Sequence, residues 1–214
     1  MLPLPDSIFQ RIVMPDQVRL SLKEITSNRL FNSRYFDKWE FWKIVSRVES
    51  ISRNIPHTAL LSGIDDLDGM LSNYGEVYLK PLNGTLSRGL YKVSKIKAGY
   101  LFDVEHGGER VPIGSRDKAE AFLKKLIGNR RYVVQQSIEP LMIDGRHMDF
   151  RVIMQKDHTK RWNCTGIIAC IGVRGSICSN WGYELTFETA LTKHFGLSQQ
   201  ELFKKRQQIV EIDR

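Results

Sequence analysis

The sequence predicts an α+β fold built on a mixed sheet. Short segments that alternate apolar and polar residues follow one another over about 76–113, and longer strand-like runs recur between 132 and 173. Amphipathic stretches with recognisable caps stand before, between and after them. In 214 residues, a 42% hydrophobic content is enough for a sizeable core, so a folded globular protein is expected.

Residues 1–32 carry Ile8, Phe9, Ile12 and Val13 as their compact apolar group and read as a short helix with a connector. From Ser33 to about Asn54, Phe36, Trp39, Val45, Val48 and Ile51 recur at helical steps, which predicts an amphipathic helix stopped before Pro56. A second helix is expected over about Asp65 to Asn73, ended by Gly75. Strands are expected at about 76–81, 90–96, 99–105 and 109–113. Ser115 then caps a helix that closes near Gly128. Tyr132 to Ile138 reads as a strand, and Met148–Lys156 with Trp162–Val173 as a hairpin through Asp157-His-Thr-Lys160. The remainder is helical, Thr186 to Phe195 followed by a helix opened by the capping box Ser198-x-x-Glu201.

The chemistry centres on Glu76 to Val93. Val77 and Leu79 alternate with Tyr78 and Lys80, so a strand that buries the first pair turns Lys80 to the other face, just before Pro81 ends the pairing. The loop Gly84-Thr-Leu-Ser-Arg-Gly89 follows, with a glycine at each end and hydroxyls and a guanidinium between, a set suited to an anion such as a polyphosphate. It is not a P-loop: Leu90 and Tyr91 stand where Lys and Ser/Thr would be required, and the next segment reads as a strand. Taken alone, such a stretch is more often only a surface hairpin, and support for an anion site has to come from elsewhere in the chain.

A net charge of +8 attracts anions of any kind, whether nucleotides, acidic polymers or nucleic acid. Nucleic acid has only that charge in its favour, since Lys and Arg are spread along the chain and no recognition motif is present. Cys164, Cys170 and Cys178 lack paired spacing and read as buried thiols in a reducing compartment, with the cytosol as the expected location. No signal-peptide pattern or bilayer-length apolar run is present, so no membrane partner is expected. His57, His106, His147, His158 and His194 have no metal spacing, and no metal ligand is assigned.

Further features lie along the chain in a particular order. They run from Leu4-Pro-Asp-Ser-Ile-Phe-Gln-Arg11 through Phe36-Asp-Lys-Trp-Glu40, Leu79-Lys-Pro-Leu-Asn-Gly84 and Ser87-Arg-Gly89 to Gln135-Gln136, Asp149-Phe-Arg-Val152, Gln155-Lys156, Trp162 and Ser179-Asn180. In this order they resemble the ATP-grasp superfamily, and within it the endospore-coat-associated YheC/YheD-like family. The resemblance implies an ATP-grasp fold, with ATP and Mg2+ as cofactors and carboxylate–amine ligase chemistry through an acyl phosphate. By it, Lys38 and Lys80 are the nucleotide-contacting lysines. Gly84, Thr85, Ser87, Arg88 and Gly89 belong to the lid, and Gln135, Gln136 and Ile138 to the hinge that holds adenine. Arg151 is implied as the catalytic phosphate or substrate contact. The implied organisation is an N-terminal connector (1–32), a helical lead-in (33–75), a nucleotide-lid subdomain (76–138) and a partial C-terminal half (139–214).

The departures bear on activity. The resemblance calls for a late pair of strands with an acidic residue and a Glu-x-Asn element to bind magnesium, and nothing after Glu201 supplies them; Glu211-Ile-Asp213 reads as a solvated helix end. Cys170 stands where relatives carry Arg, and Asn180-Trp-Gly-Tyr183 where they carry Asn followed by Gly-Gly. The expectation is an ATP-grasp fold lacking its C-terminal metal-binding strands, with reduced or no activity. The alternative is a non-catalytic spore-coat interaction module with an acidic partner. An exposed sheet edge in such a chain would favour oligomers.

Overall fold

In the computed structural model, residues 5–33, 35–105 and 108–212 are described. Leu4, His106 and Asp213, which figure in the sequence reading, lie outside the described residues.

The N-terminal segment forms β1 (Ile8–Phe9), α1 (Asp16–Ile25) and β2 (Leu30–Phe31), with β1 and β2 paired in parallel. The helix therefore begins after Pro15, and the apolar group Ile8 to Val13 lies ahead of it, with Phe9, Ile12 and Val13 exposed. The long helix expected from Ser33 is two helices, α2 (Lys38–Val45) and α3 (Glu49–Ser52). Asp37 and Glu40 close a capping box at the start of α2, and Val48 breaks the run by taking an extended conformation.

The main sheet has six strands in the order β3-β8-β4-β5-β6-β7, every neighbour antiparallel. These are β3 (Thr58–Leu61), β4 (Glu76–Pro81), β5 (Tyr91–Ile96), β6 (Gly99–Val104), β7 (Arg110–Ile113) and β8 (Tyr132–Gln136). Helices α4 (Ile64–Tyr74) and α5 (Arg116–Ile127) cover one face through Ile64, Leu67, Met70, Leu71, Ala119 and Leu123. Along β4, Val77 and Leu79 point into this core while Glu76, Tyr78 and Lys80 take the other face, and Pro81, also buried, ends the strand beside the 84–89 loop. Burying Val77 and Leu79, each worth about 1.5–3 kcal/mol, fixes that alternation and so aims Lys80 away from the helices.

The second sheet has four antiparallel strands in the order β12-β11-β10-β9, from β9 (Leu141–Ile143), β10 (Arg146–Lys156), β11 (Trp162–Ile171) and β12 (Tyr183–Thr186). Asp157 Oδ1 caps the β10–β11 turn by accepting from Thr159 N and Arg161 N, as the polar turn implied. Helices α6 (Phe187–Phe195) and α7 (Gln199–Ile212) pack on one face through Phe187, Leu191 and Leu202. Parallel pairing is thus confined to β1 and β2 among the described residues, and the mixed sheet expected from sequence is two antiparallel sheets. No helix of the described residues is long and apolar enough to cross a membrane.

Candidate functional site

A cleft of about 390 Å³ opens between the bare face of the six-stranded sheet, the 84–90 loop and the second sheet. Lys38, Tyr78, Lys80, the lid residues Gly84, Thr85, Ser87 and Arg88, and Asp149, Cys178 and Asn180 are among the residues lining it.

Lys38 stands at the first turn of α2. Its backbone N–H donates to Leu82 O at 3.2 Å, and its Nζ donates to Pro81 O at 2.9 Å and Gly84 O at 3.1 Å. Burial lowers its pKa below the usual lysine value. Lys80 Nζ donates to Gln135 Oε1 at 2.6 Å and lies 5.4 Å from the centre of the Tyr78 ring. Its pKa is also lowered, by burial first and then by the nearby charge of Lys38. Neither ammonium forms an ion pair among the described residues. Two partly desolvated cations therefore share one cleft, neither in an ion pair among the described residues although Asp37 acts on Lys38 from a distance, and this is the donor set a polyphosphate needs.

The lid is pinned to the second sheet. Ser87 Oγ accepts from Asn180 Nδ2 and lies 3.3 Å from Cys178 Sγ. The 176–178 loop is fixed in turn by buried Glu105, which accepts from Ser176 Oγ at 2.8 Å and Ile177 N at 3.0 Å. Leu86 and Ser87 both have positive φ, 59° and 55°. Gly89 needs its missing side chain: at φ +74° an added Cβ would lie 2.8 Å from the Tyr132 hydroxyl.

The hinge residues are placed differently from the lysines. Gln135 touches the cleft only through Lys80 and also donates from Nε2 to Thr58 Oγ1 at 2.7 Å. Gln136 Oε1 accepts from His57 N at 3.2 Å, while the N–H groups of Gln136 and Ser137 already donate to His57 O and Glu76 O. Ile138 is exposed, and it is Pro140 that reaches the lining. Gly89 lies at the lid's base beside Pro81 and Tyr132 rather than in the lining. Arg151 sits on β10 beyond the cleft, 3.9 Å from Glu184. Cys170 is buried across from Asp149 and Glu184 in the ladder, and burial raises its pKa. Cys164 and Cys178 are half-buried, and all three thiols are free.

Sequence reasoning passed over Tyr78, Glu105 and Cys178. Tyr78 shares the Lys80 face by simple alternation and could have been found; its hydroxyl donates to Ile177 O at 2.9 Å, and burial pushes its pKa up to about 12. Glu105 and Cys178 meet only through the fold.

The donor set suits ATP phosphates. Among the described residues no group of three or more His, Cys, Asp or Glu side chains is placed to hold a metal ion, and Asp149, which accepts from Ser179 Oγ, is the carboxylate in the lining.

Comparison with known proteins gives three results. The profile of the YheC/D-like ATP-grasp family matches residues 27–212. The endospore coat-associated protein YheD of Bacillus subtilis (strain 168) is 25% identical over 191 residues, which cover 83% of this chain and 42% of that protein, so the chain spans less than half of this relative's length. Among solved structures, D-alanyl-alanine synthetase A from Vibrio cholerae is similar with a TM-score of 0.47 at 14% identity, over 92% of this chain and 54% of that one. With a family profile extending over nearly all of its length, the α+β chain with its two-lysine cleft belongs to the YheC/D-like ATP-grasp family.

Proposed function

We propose that the cleft binds ATP, with Lys38 and Lys80 as the phosphate cations and residues 84–89 as the lid. The observation that carries this reading is the pair of partly desolvated ammonium groups in one lining, neither held in an ion pair among the described residues. Residues 76–138 supply one wall and the lid, 139–214 the other wall, and Lys38 enters from the lead-in over 33–75, with 1–32 as connector. Family membership implies ATP and Mg2+ as cofactors.

The chemistry of the family, activation of a carboxylate for attack by an amine, is reduced or lost in this chain. In support, Arg151 lies with Glu184 outside the cleft, Asp149 is the one carboxylate among the described residues lining it, and a buried thiol occupies position 170. The same three observations favour a second reading, in which the fold serves as a coat-associated interaction module with little turnover of its own. A location in the cytoplasm of a spore-forming cell, at the coat, follows from that reading.

Thermal melting with ATP, with and without Mg2+, tests both. At a hundredfold excess over Kd, ATP should stabilise the chain by about 2.7 kcal/mol, and Lys80→Ala should abolish that gain while leaving the unliganded melt within about 1 kcal/mol. Absence of any nucleotide shift in the unaltered chain would reject the first reading and leave the second.

A further inference from the structure

We infer a second binding site on this protein, a groove beside the open edge of β11 that takes an extended acidic peptide as an added strand. The site is separate from the nucleotide cleft and shares none of its lining residues.

β11 pairs with β10 from Trp162 to Ile171, whereas β12 covers its other side only over Ile168–Ile171. Among the described residues, Trp162–Ile167 therefore has no strand on that side. Among the described residues no strand bonds this six-residue edge from that side, a length of about 20 Å at strand spacing, and Gly166 O accepts from the Cys164 thiol at 3.6 Å.

Alongside this edge runs a groove of about 610 Å³ between Asn163 and Cys164 of β11 and one side of α7. Phe203 and Val210 line its apolar part, with Gln207 between them in sequence. Phe203 is 61% exposed and Trp162, with the Lys156 ammonium 5.1 Å from the centre of its ring, is 52% exposed, so two largely accessible aromatic side chains flank the edge. A peptide strand adding here would make main-chain hydrogen bonds to β11 and rest alternate side chains on Phe203 and Val210.

Charge selects the occupant. Among the described residues Lys204 and Arg206 line the groove with Glu211 as its carboxylate, and Arg161 precedes the edge at the hairpin turn. Glu188 engages Arg206 only loosely, at 3.4 Å with both side chains about half exposed. The chain as a whole carries +8, so a second copy of itself is repelled where an acidic segment is attracted.

The test uses the full chain without nucleotide, so its outcome is independent of the ATP reading. Fluorescence anisotropy would follow a labelled peptide of about eight residues alternating Val and Glu, with an alternating Val and Lys peptide as comparison. Saturable binding of the acidic peptide is expected, weakened by added salt and by about fivefold or more in Phe203→Ala and in Lys204→Glu. Both substitutions fall on exposed side chains, and circular dichroism would verify that each variant is folded. Amide hydrogen exchange should show new protection at 162–167. Equal affinity for both peptides, protection elsewhere, or no binding would overturn the proposal. So would protection of 162–167 in a concentration-dependent dimer without peptide, which would assign the edge to a second copy.

Discussion

Lys80 and Gln135 meet diagonally across the β4–β8 ladder, with Nζ donating to Oε1 at 2.6 Å while Lys80 itself pairs with Val133 and Gln135 with Tyr78. An amide holds the ammonium in place and leaves its charge unspent for an incoming anion. Replacing Gln135 by Glu would keep the shape and neutralise the cation. Gln135→Glu is expected to raise the unliganded melting temperature, since a part-buried charge gains a partner, and to weaken ATP binding by about tenfold or more. Calorimetric titration beside a melt checks both signs, and unchanged ATP affinity would remove Lys80 from the phosphate role.

The lowered pKa of Lys80 gives a pH dependence of definite sign. Its folded value lies below the unfolded 10.5, because burial and then Lys38 disfavour the charge. Between those two values the unfolded chain holds the extra proton, so the stability cost of the buried ammonium is full at lower pH and disappears as pH rises to 10.5. ATP binding runs the other way, because it needs the ammonium charged. Affinity should therefore decline as pH rises through the lowered value, before an ordinary lysine would titrate. Tyr78, neutral up to about 12, adds nothing in this range. Lys80→Arg stays charged throughout, and its decline should be shallower, with only Lys38 left to titrate. ATP titrations from neutral to alkaline pH would show it; parallel curves for the two chains would contradict the assignment.

The lid contacts predict a local effect. Ser87 Oγ joins the lid to Asn180 Nδ2 and Cys178 Sγ of the other wall, and it holds a positive φ while doing so. Ser87→Ala should lower global stability by no more than about 1 kcal/mol but speed amide exchange in residues 84–89 and 176–180. Exchange rates that remain unaltered there would mean that the lid is held by something else.

What the sequence revealed follows from the range of the interactions involved. Lys80, its strand and the 84–89 loop were legible because alternation, Pro81 and the two glycines are local signals; the Asp37–Glu40 capping box that starts α2 is equally local, yet the apolar spacing placed the helix start at Ser33. β3, β9 and β12 escaped because strands of three or four residues have too short a period to read and form through partners distant in sequence, such as Thr58 with Gln135. The break at Ser46–Val48 was hidden by apolar spacing that continues through it. Gln135 and Gln136 were placed correctly on their strand, yet what their amides bond, Lys80 and His57, depends on β3 and β4 coming alongside. Glu105 and Cys178 lie far apart in sequence and nothing local in either segment announces their contact.

A test of the scaffold rather than the cleft falls on Asp68. From α4 it accepts hydrogen bonds from Tyr100 Oη at 2.6 Å, Lys95 Nζ at 2.9 Å and Arg116 Nε at 2.9 Å, and so ties α4 to β5, β6 and the start of α5. Its side chain is 24% exposed, which leaves the interactions only partly screened. Burial alone would raise its pKa, but the bonds from Tyr100, Lys95 and Arg116 outweigh that and lower it below 3.8. A carboxylate with a depressed folded value contributes stability above its unfolded value and loses it as pH falls through the folded one. Asp68→Asn keeps the shape and removes the charge. It should cost about 1–2 kcal/mol at neutral pH, a drop of about 2–4 °C in Tm for each kcal/mol in a chain of this size. The deficit should shrink in acid, where the unaltered chain has protonated the same group, and in high salt. A deficit of constant size from neutral pH down to acid would show that shape rather than charge holds α4 to the sheet.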